Sequence, residues 1–128
     1  MAYYFNKTVK GEFERVVERV VASLRQGGFG VLTEIDVRQT LRKKLGVEFR
    51  NYRILGACHP PSAYQALLAE DKIGTMLPCN VIVQEGAPGE IEVAAIDPIA
   101  SMQAIQNPGL GEVAEAVREK LREVVERI

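Results

Sequence analysis

Two long stretches of the chain repeat apolar residues at the spacing of an amphipathic helix. These stretches cover about residues 12–26 and 110–127, and charged side chains fill most of their remaining positions. Such a pattern predicts a helix with one face on a core and the other in water. The apolar positions are Phe13, Val16, Val17, Val20, Val21 and Leu24 in the first stretch, and Val113, Val117, Leu121, Val124, Val125 and Ile128 in the second.

Five shorter segments have the composition and alternation of β-strands. They cover about residues 2–9, 29–35, 49–57, 77–85 and 90–96. In the first segment Tyr3, Phe5 and Val9 share one face, and Lys7 is the exception on that face. The last two segments are joined by Gly86-Ala87-Pro88-Gly89, whose length and turn residues predict a β-hairpin.

Short helices are predicted in the connections between strands. A capping pattern at Asp36 and Gln39 opens one of them, and Gly46 ends it. A second helix covers about residues 61–70, because prolines are tolerated at a helix entrance, and a third follows Asp97. In the first short helix we expect three side chains to face inward, namely Val37, Leu41 and Leu45.

The order of these elements predicts the α+β class. Strands and helices are mixed without strict alternation, and the hairpin requires antiparallel pairing. We expect one mainly antiparallel five-stranded sheet, with the two long helices packed on one of its faces. A chain of 128 residues fits one domain, which we place over residues 1–128.

Composition excludes several classes of protein. The chain is 47% hydrophobic and 26% charged, which excludes a disordered chain and a dense disulfide scaffold. The first residues lack the pattern of a signal peptide, and no apolar run is long enough to span a membrane. We therefore expect a cytoplasmic protein with no membrane partner, whose two cysteines are reduced.

Charge is distributed unequally along the chain. Residues 1–64 contain 11 Lys and Arg against 6 Asp and Glu, a balance of +5, and residues 65–128 contain 5 against 11, a balance of −6. Opposite charges can therefore meet within one chain or between two copies. The basic run has no accompanying nucleic-acid motif, so we predict a solvated face that meets the acidic half rather than a nucleic-acid site. This run contains Arg38, Arg42, Lys43, Lys44, Arg50 and Arg53.

The candidate reactive residues are concentrated around two cysteines that lie close to prolines. Cys58 ends the third predicted strand and Cys79 begins the fourth. If these strands are antiparallel, both thiols lie at the same end of the sheet, and if they are parallel, the thiols lie at opposite ends. Under the antiparallel arrangement Cys58 also precedes a helix N-terminus, which favours a thiolate. The alternative is that both cysteines are small hydrophobic residues in tight turns.

A metal site at these residues is disfavoured by their spacing. Cys58, His59 and Cys79 are ligand types that suit zinc or Cu(I). However, neighbouring side chains usually point in different directions, and His59 is the single histidine of the chain. We therefore predict no metal and no cofactor.

The segment from Glu34 to Glu85 resembles a known family. It reads EIDVRQTLRKKLGVEFRNYRILGAC, then HPPSAYQALLAE, and later IGTMLPCNVIVQE. This sequence is similar to the family called domain of unknown function 302, and the likeness extends over almost the whole chain. The resemblance implies a TATA-binding-protein-like topology in a small bacterial protein that can form homodimers, and it implies no activity. The family pattern includes the elements Gly56-Ala57-Cys58 and Leu77-Pro78-Cys79, and it more commonly has asparagine at position 59.

Three functions are compatible with these features. The first is a homodimeric domain that binds a small ligand beside Cys58, His59, Pro60, Cys79 and Asn80. The second is a thiol redox protein in which Cys58 reacts and Cys79 resolves the product. The third is an interaction module whose charged halves, with the apolar turn at residues 98–105, bind a partner or a second copy. No motif in the sequence assigns a reaction to the chain.

Overall fold

Five antiparallel strands form one open sheet in the computed structural model, which describes residues 2–128. The predicted α+β class and the five-stranded antiparallel sheet are therefore confirmed. The predicted domain also includes Met1, which lies outside the described residues. The order across the sheet is β1-β5-β4-β3-β2, so β1 and β2 are the edge strands. The strands are β1 (Tyr4–Lys10), β2 (Gly30–Asp36), β3 (Tyr52–Cys58), β4 (Cys79–Glu85) and β5 (Glu90–Ile96).

Both long helices pack on the same face of this sheet, as their apolar periodicity predicts. Their inward side chains meet those of the central strands in one cluster, in which Val20, Leu121 and Val83 have no exposed surface. The α-helices are α1 (Phe13–Gln26), α2 (Val37–Leu45), α3 (Pro60–Ala69), α4 (Pro98–Ser101) and α5 (Gly111–Glu126). Single 3₁₀ segments cover Asp71–Met76 and Pro108–Leu110.

Lys7, the exception in the β1 pattern, has a partner at the end of α5. Its Nζ donates a hydrogen bond of 2.9 Å to the carbonyl oxygen of Glu126. The last carbonyls of a helix have no partner within the helix, and they carry partial negative charge. A lysine on the helix-facing side of an edge strand therefore stabilises the C-terminus of α5 without burying its charge.

The prediction for α2 is correct at its ends, but of the three side chains predicted to face inward two are only half-buried and Leu45 is exposed. Asp36 Oδ1 accepts a hydrogen bond of 3.0 Å from the backbone N–H of Gln39, and Gly46 ends the helix in the left-handed conformation. However, none of its residues is buried, and the side chain of Leu45 is 69% exposed. The helix lies at the edge of the fold, next to β2 and β3, so no third element covers it.

The β4–β5 hairpin closes one end of the sheet with hydrogen bonds. Its turn is held by the N–H of Gly86, which donates to the carbonyl of Glu90 at 3.1 Å. The Glu85 carboxylate accepts from the N–H of Gly89 and from the Asn51 amide, and these bonds lower its pKa. The predicted hairpin is therefore present, and it forms the polar end of the sheet.

At the opposite end, a second and smaller hydrophobic cluster lies beyond the strands. It is built by α3, α4, α5 and the 3₁₀ segments. Its buried members are Ala66, Ile73, Met102, Leu110 and Ala114. This cluster forms the outer wall of the candidate site.

Across residues 2–128, no helix combines the length with the apolar character that crossing a membrane requires. The likeness to the TATA-binding protein, which the sequence resemblance implies, stays a prediction.

Candidate functional site

The end of β3 and the start of β4 lie side by side at the rim of a cavity. The two strands are antiparallel, and Cys79 is opposite Ala57 in the register. Cys58 and Cys79 therefore lie at the same end of the sheet, as the antiparallel arrangement requires. The cavity has a volume of about 360 Å³ and separates this end of the sheet from the helical wall.

The wall of this cavity is almost entirely carbon and sulfur. His59 and Ser62 provide its polar nitrogen and oxygen side-chain atoms, and every other lining side chain is apolar or a thiol. The apolar lining comes from β2, β3, α3, α4, α5 and the segment before β4. These residues are Phe29, Leu32, Ala57, Ala63, Ala66, Leu67, Gly74, Leu77, Pro78, Pro98, Met102, Val113, Ala114 and Val117.

The two thiols have different surroundings within this wall. Cys79 is buried, Cys58 is half-buried, and neither forms a disulfide. Burial, with a smaller contribution from the nearby Cys58, raises the pKa of the Cys79 thiol to about 11. A thiol with this pKa is almost fully protonated at neutral pH, and the thiolate is the reactive form. Cys79 is therefore better suited to apolar contact than to resolving a disulfide.

His59 is held in place by three neighbours. Its Nδ1 lies 2.7 Å from Ser62 Oγ, and its ring centre is 5.6 Å from that of Phe29. Gly28 has a φ of +87°, and a Cβ at this residue would be 3.3 Å from His59 Cδ2. Burial, and then the positive charge of Lys120, lower the pKa of His59, so the neutral imidazole is favoured.

Pro60 and Asn80 do not line the cavity, although both belong to the predicted ligand-binding set. Pro60 occupies the first position of α3 and is exposed. Asn80 pairs with Gly56 and lines a separate depression of about 380 Å³ on the open face of the sheet. Side chains alternate between the faces of a strand, so Asn80 faces away from its neighbour Cys79. Of the five residues predicted to bind a ligand, the structure places three at the cavity, namely Cys58, His59 and Cys79.

Several lining residues had no distinguishing signal in the sequence. Leu32 reaches the cavity from an irregular position in β2, where the register with β3 shifts between Val31 and Thr33. Such a bulge adds one residue to a strand and leaves no fixed motif. Met102 follows α4 and reaches the cavity through the path of the chain after β5. In contrast, Val117 of α5 lines the cavity and was predicted, from its apolar spacing, to face inward.

Exposed apolar side chains border the entrance of the cavity. Leu32 and Leu67 line the cavity while keeping 66% and 44% of their surface exposed. Tyr64 and Leu68 on the outer face of α3 are exposed as well. α3 contains no charged residue, so this helix contributes no charge to the entrance.

Part of the basic run forms ion pairs within the protein. Arg53 is not solvated: its side chain is 13% exposed and contacts Glu14 at 2.6 Å and Glu34 at 2.8 Å. Glu48 lies 3.1 Å from Arg42, and this bond lowers the pKa of the carboxyl. Most of the run is exposed to solvent, as predicted, but its ion-pair partners belong to residues 1–64 rather than to the acidic half. Across residues 2–128, no group of three or more His, Cys, Asp and Glu side chains is arranged to hold a metal ion.

A comparison with protein families places the chain in a family of unknown function. The sequence profile of the domain of unknown function DUF302 matches residues 5–128. The chain belongs to this family. The crystal structure of an uncharacterized conserved protein DUF302 from Bacillus stearothermophilus is similar to it, with a TM-score of 0.91 and 27% sequence identity. The match covers 99% of this chain and 98% of that chain. No curated protein matches the sequence.

Proposed function

We propose that this DUF302 protein binds a small, largely apolar organic ligand in the cavity beside Cys58 and Cys79. The observation that carries the proposal is the composition of the wall, which is carbon and sulfur except at His59 and Ser62. Ligand pockets typically have volumes of about 300–1,000 Å³ and combine an apolar lining with few polar groups. The cavity of about 360 Å³ fits the lower part of this range.

Binding is favoured over thiol redox chemistry by the environment of Cys79. Its raised pKa, about 11, leaves little thiolate to attack a mixed disulfide at neutral pH. Both thiols instead add polarizable, weakly polar surface to the cavity. The proposal therefore assigns the cysteine pair to ligand contact.

A neutral apolar fluorophore tests this proposal directly. We expect N-phenyl-1-naphthylamine to gain fluorescence on addition of the protein, because it would leave water for the cavity. Ala63→Leu places a larger side chain in the cavity wall and should abolish the gain. Ala22→Leu, on the exposed face of α1, is the matched control and should bind the probe normally. Equal probe binding by both variants, or none by the wild type, would refute the proposal.

The thiols are tested by a smaller change at the same site. Cys58→Ser should leave folding intact and alter the affinity for the probe, because a hydroxyl replaces a thiol in the wall. Native mass spectra of the protein purified anaerobically would show whether a defined extra mass accompanies it. If Ser at both cysteines changes neither the probe affinity nor any bound species, the cysteine-lined site is not supported.

We also propose that the protein forms a homodimer through the open face of its sheet. Five strands of seven residues each present a face on the order of 600 Å². Two such faces would together bury on the order of 1,200 Å², which is the lower limit of stable interfaces. Apolar side chains dominate the middle of this face, where Ile54 is opposite Ile82 in β4 and opposite Ile35 in β2.

The polar side chains at one side of this face already have partners. The Glu92 carboxylate accepts hydrogen bonds of 2.8 Å from both Asn6 and Gln84. Pairing of this kind lowers the cost of removing these groups from water. A second copy therefore meets an apolar centre beside a polar margin that is already hydrogen-bonded.

Light scattering after gel filtration tests the dimer. The wild type is expected at twice the mass of one chain, and Ile82→Glu at the mass of one chain. Leu68→Glu, an equally drastic change on the exposed face of α3, should remain dimeric. A monomeric wild type would contradict the proposal, and so would dissociation by Leu68→Glu with no effect of Ile82→Glu.

A further inference from the structure

The helix α3 is held in place by few buried side chains. Ala66 is the one buried residue among its ten, whereas five residues of α5 are buried. α3 packs mainly against α5 and the two 3₁₀ segments. An element with few buried apolar contacts opens locally at a low free energy, and the moving elements of binding sites are drawn from such regions.

The same helix forms one side of the cavity. Ala63, Ala66 and Leu67 line the cavity, and their spacing places them on one face of α3. Two of these side chains are single methyl groups, and Leu67 already has 44% of its surface exposed. Moving α3 away from α5 therefore widens the cavity and exposes little additional apolar surface.

Extended residues lie at both ends of α3. His59 before the helix has φ and ψ of −101° and 100°, and Glu70 after it has −147° and 105°. Hinges of moving elements commonly lie at a few residues of this kind. Beyond Glu70, Ile73 has no exposed surface and anchors the following 3₁₀ segment. A movement is therefore confined to α3 itself.

One side chain ties the end of α3 to the segment that leads into α5. Asn107 Nδ2 donates hydrogen bonds to the carbonyl oxygen of Ala69 at 2.7 Å and to Glu70 Oε1 at 3.1 Å. The last carbonyls of a helix have no partner within the helix, so the first bond satisfies the C-terminus of α3. Asn107 Oδ1 accepts from the N–H of Gly109 at 3.0 Å and caps the second 3₁₀ segment.

We infer that α3 is a movable wall of the cavity and that Asn107 is the positioning residue that holds it closed. A ligand enters and leaves when α3 moves away from α5 and the bonds of Asn107 to Ala69 and Glu70 break. The inference rests on the proposed function, because it concerns access to the same cavity. Entry and exit pass through one open form, so these bonds determine how fast a ligand exchanges rather than how tightly it binds.

Asn107→Asp breaks these bonds without changing the size of the side chain. The carboxylate still accepts from the Gly109 N–H, but it has no N–H to donate and it repels Glu70. In stopped-flow fluorescence with N-phenyl-1-naphthylamine, the association and dissociation rate constants should both rise about three- to tenfold, as expected for the loss of a hydrogen bond. The dissociation constant, which is their ratio, should change by less than about twofold.

Asn51→Asp is the matched control at the opposite end of the sheet. Asn51 Nδ2 donates to Glu85 Oε1 at 2.9 Å, so this change also replaces an amide donor by a carboxylate that faces a glutamate. We expect wild-type rate constants for the fluorophore. Equal acceleration by Asn51→Asp and Asn107→Asp would overturn the assignment to Asn107.

A disulfide at the end of α3 tests the movement in the opposite direction. A Cβ at Gly109 would lie 3.4 Å from the Ala69 Cβ, close to the separation of about 3.5–4.5 Å found in disulfides. The oxidised double variant Ala69→Cys/Gly109→Cys should exchange the fluorophore at least about tenfold more slowly than its reduced form. Comparing two redox forms of one protein cancels the effects of the substitutions, and peptide mass spectrometry confirms that the bond does not involve Cys58. Equal rates in the two forms would contradict a moving α3.

A cysteine on the inward face of α3 reports the movement without any fluorophore. Ala66 is buried, so a thiol introduced by Ala66→Cys reacts with iodoacetamide only while α3 is open. Adding Asn107→Asp should raise its labelling rate about three- to tenfold, and adding Asn51→Asp should leave the rate unchanged. Mass spectrometry of peptides measures labelling at this position alone.

The outcomes distinguish the two proposals. If the fluorophore binds but neither Asn107→Asp nor the disulfide changes its exchange, the movable wall is refuted and cavity binding stands. If the fluorophore does not bind, the proposed function fails, and the labelling of Ala66→Cys still decides whether α3 moves. A labelling rate that Asn107→Asp leaves unchanged refutes the role of Asn107 in either case.

Discussion

The two hydrophobic clusters of this protein are built from different side chains and leave different amounts of space. Between the sheet and the long helices, leucine and valine side chains such as Leu24, Leu121 and Val124 have no exposed surface. Around the cavity, alanines occupy equivalent inward positions, including Ala66 and Ala114. A methyl group on a helix cannot reach the opposite wall, so a space remains between the second cluster and the end of the first, which also lines it.

This difference separates stability from binding. Closely packed side chains contribute free energy of folding through many short contacts, and each is costly to remove. Side chains around a cavity already lack contacts on one side, so truncating them removes less. We therefore expect truncations between the sheet and the long helices mainly to destabilise the protein, and mutations of the cavity wall mainly to change what it binds.

The largest effect is expected from truncating the closely packed cluster. Leu121→Ala should reduce the free energy of unfolding by about 2–5 kcal/mol, because it leaves a void that the structure cannot fill. Leu67→Ala, at the cavity entrance, should cost less than about 1 kcal/mol, because this side chain remains partly in water. Urea unfolding followed by circular dichroism measures both values. Equal losses would show that the cavity entrance is packed as closely as the core between the sheet and the long helices.

Thiol labelling compares the reactivity of the two cysteines in the cavity wall. With a pKa of about 11, only about one Cys79 in a thousand is a thiolate at pH 8. Native Cys79 should therefore react with iodoacetamide at least about a hundredfold more slowly than in urea, whereas the half-buried Cys58 remains accessible. Mass spectrometry of peptides reports each rate. Equally fast labelling of both cysteines in the native protein would contradict the burial of Cys79.

Two serines allow a matched test of buried and half-buried polar groups. Ser23 Oγ donates to the Val124 carbonyl at 2.8 Å within the first cluster. Ser23→Ala should cost about 1 kcal/mol, because it leaves that buried carbonyl without this donor. Ser62→Ala should cost less than about 0.5 kcal/mol, since Ser62 is half-buried at the cavity. The comparison fails if denaturant titrations give the reverse order.

The smallest effect is a dependence of stability on pH at the cavity. The pKa of His59 is lowered by burial and by Lys120, so the unfolded chain binds a proton more readily than the folded one. Stability from this group is therefore complete above about pH 6.5, the value in the unfolded chain, and is lost as the pH falls through the folded pKa. His59→Asn should remove this dependence, which thermal unfolding at pH 5–7.5 would show.

A matched control lies at the opposite end of the sheet. The pKa of Glu85 is lowered by its bonds to Gly89 and Asn51, so its contribution is present above the unfolded value of 4.5 and is lost at lower pH. Glu85→Gln should therefore leave the dependence between pH 5 and 7.5 unchanged and alter only the acid range. If Glu85→Gln flattened the curve in the histidine range, the dependence would not belong to His59.

Local patterns predicted most of the fold because its elements obey local rules. The apolar spacing of α1 and α5, the cap at Asp36 and the hairpin after Glu85 each follow from interactions over a few residues. The inward position of Leu45 was predicted from the same spacing and was wrong. Spacing defines one side of a helix, but it does not show whether another element covers that side.

The sequence by itself determined the α+β class, the long amphipathic helices and the importance of the segment from Cys58 to Cys79. Only the tertiary structure decided that both thiols border one cavity, that Asn80 faces the other side of the sheet, and that Leu32 and Met102 complete the wall. The physical reason is the distance along the chain over which each kind of interaction acts. Helix and turn preferences act over a few neighbouring residues, whereas a cavity is the space left between elements that are distant in the chain, and its shape depends on how all of them pack.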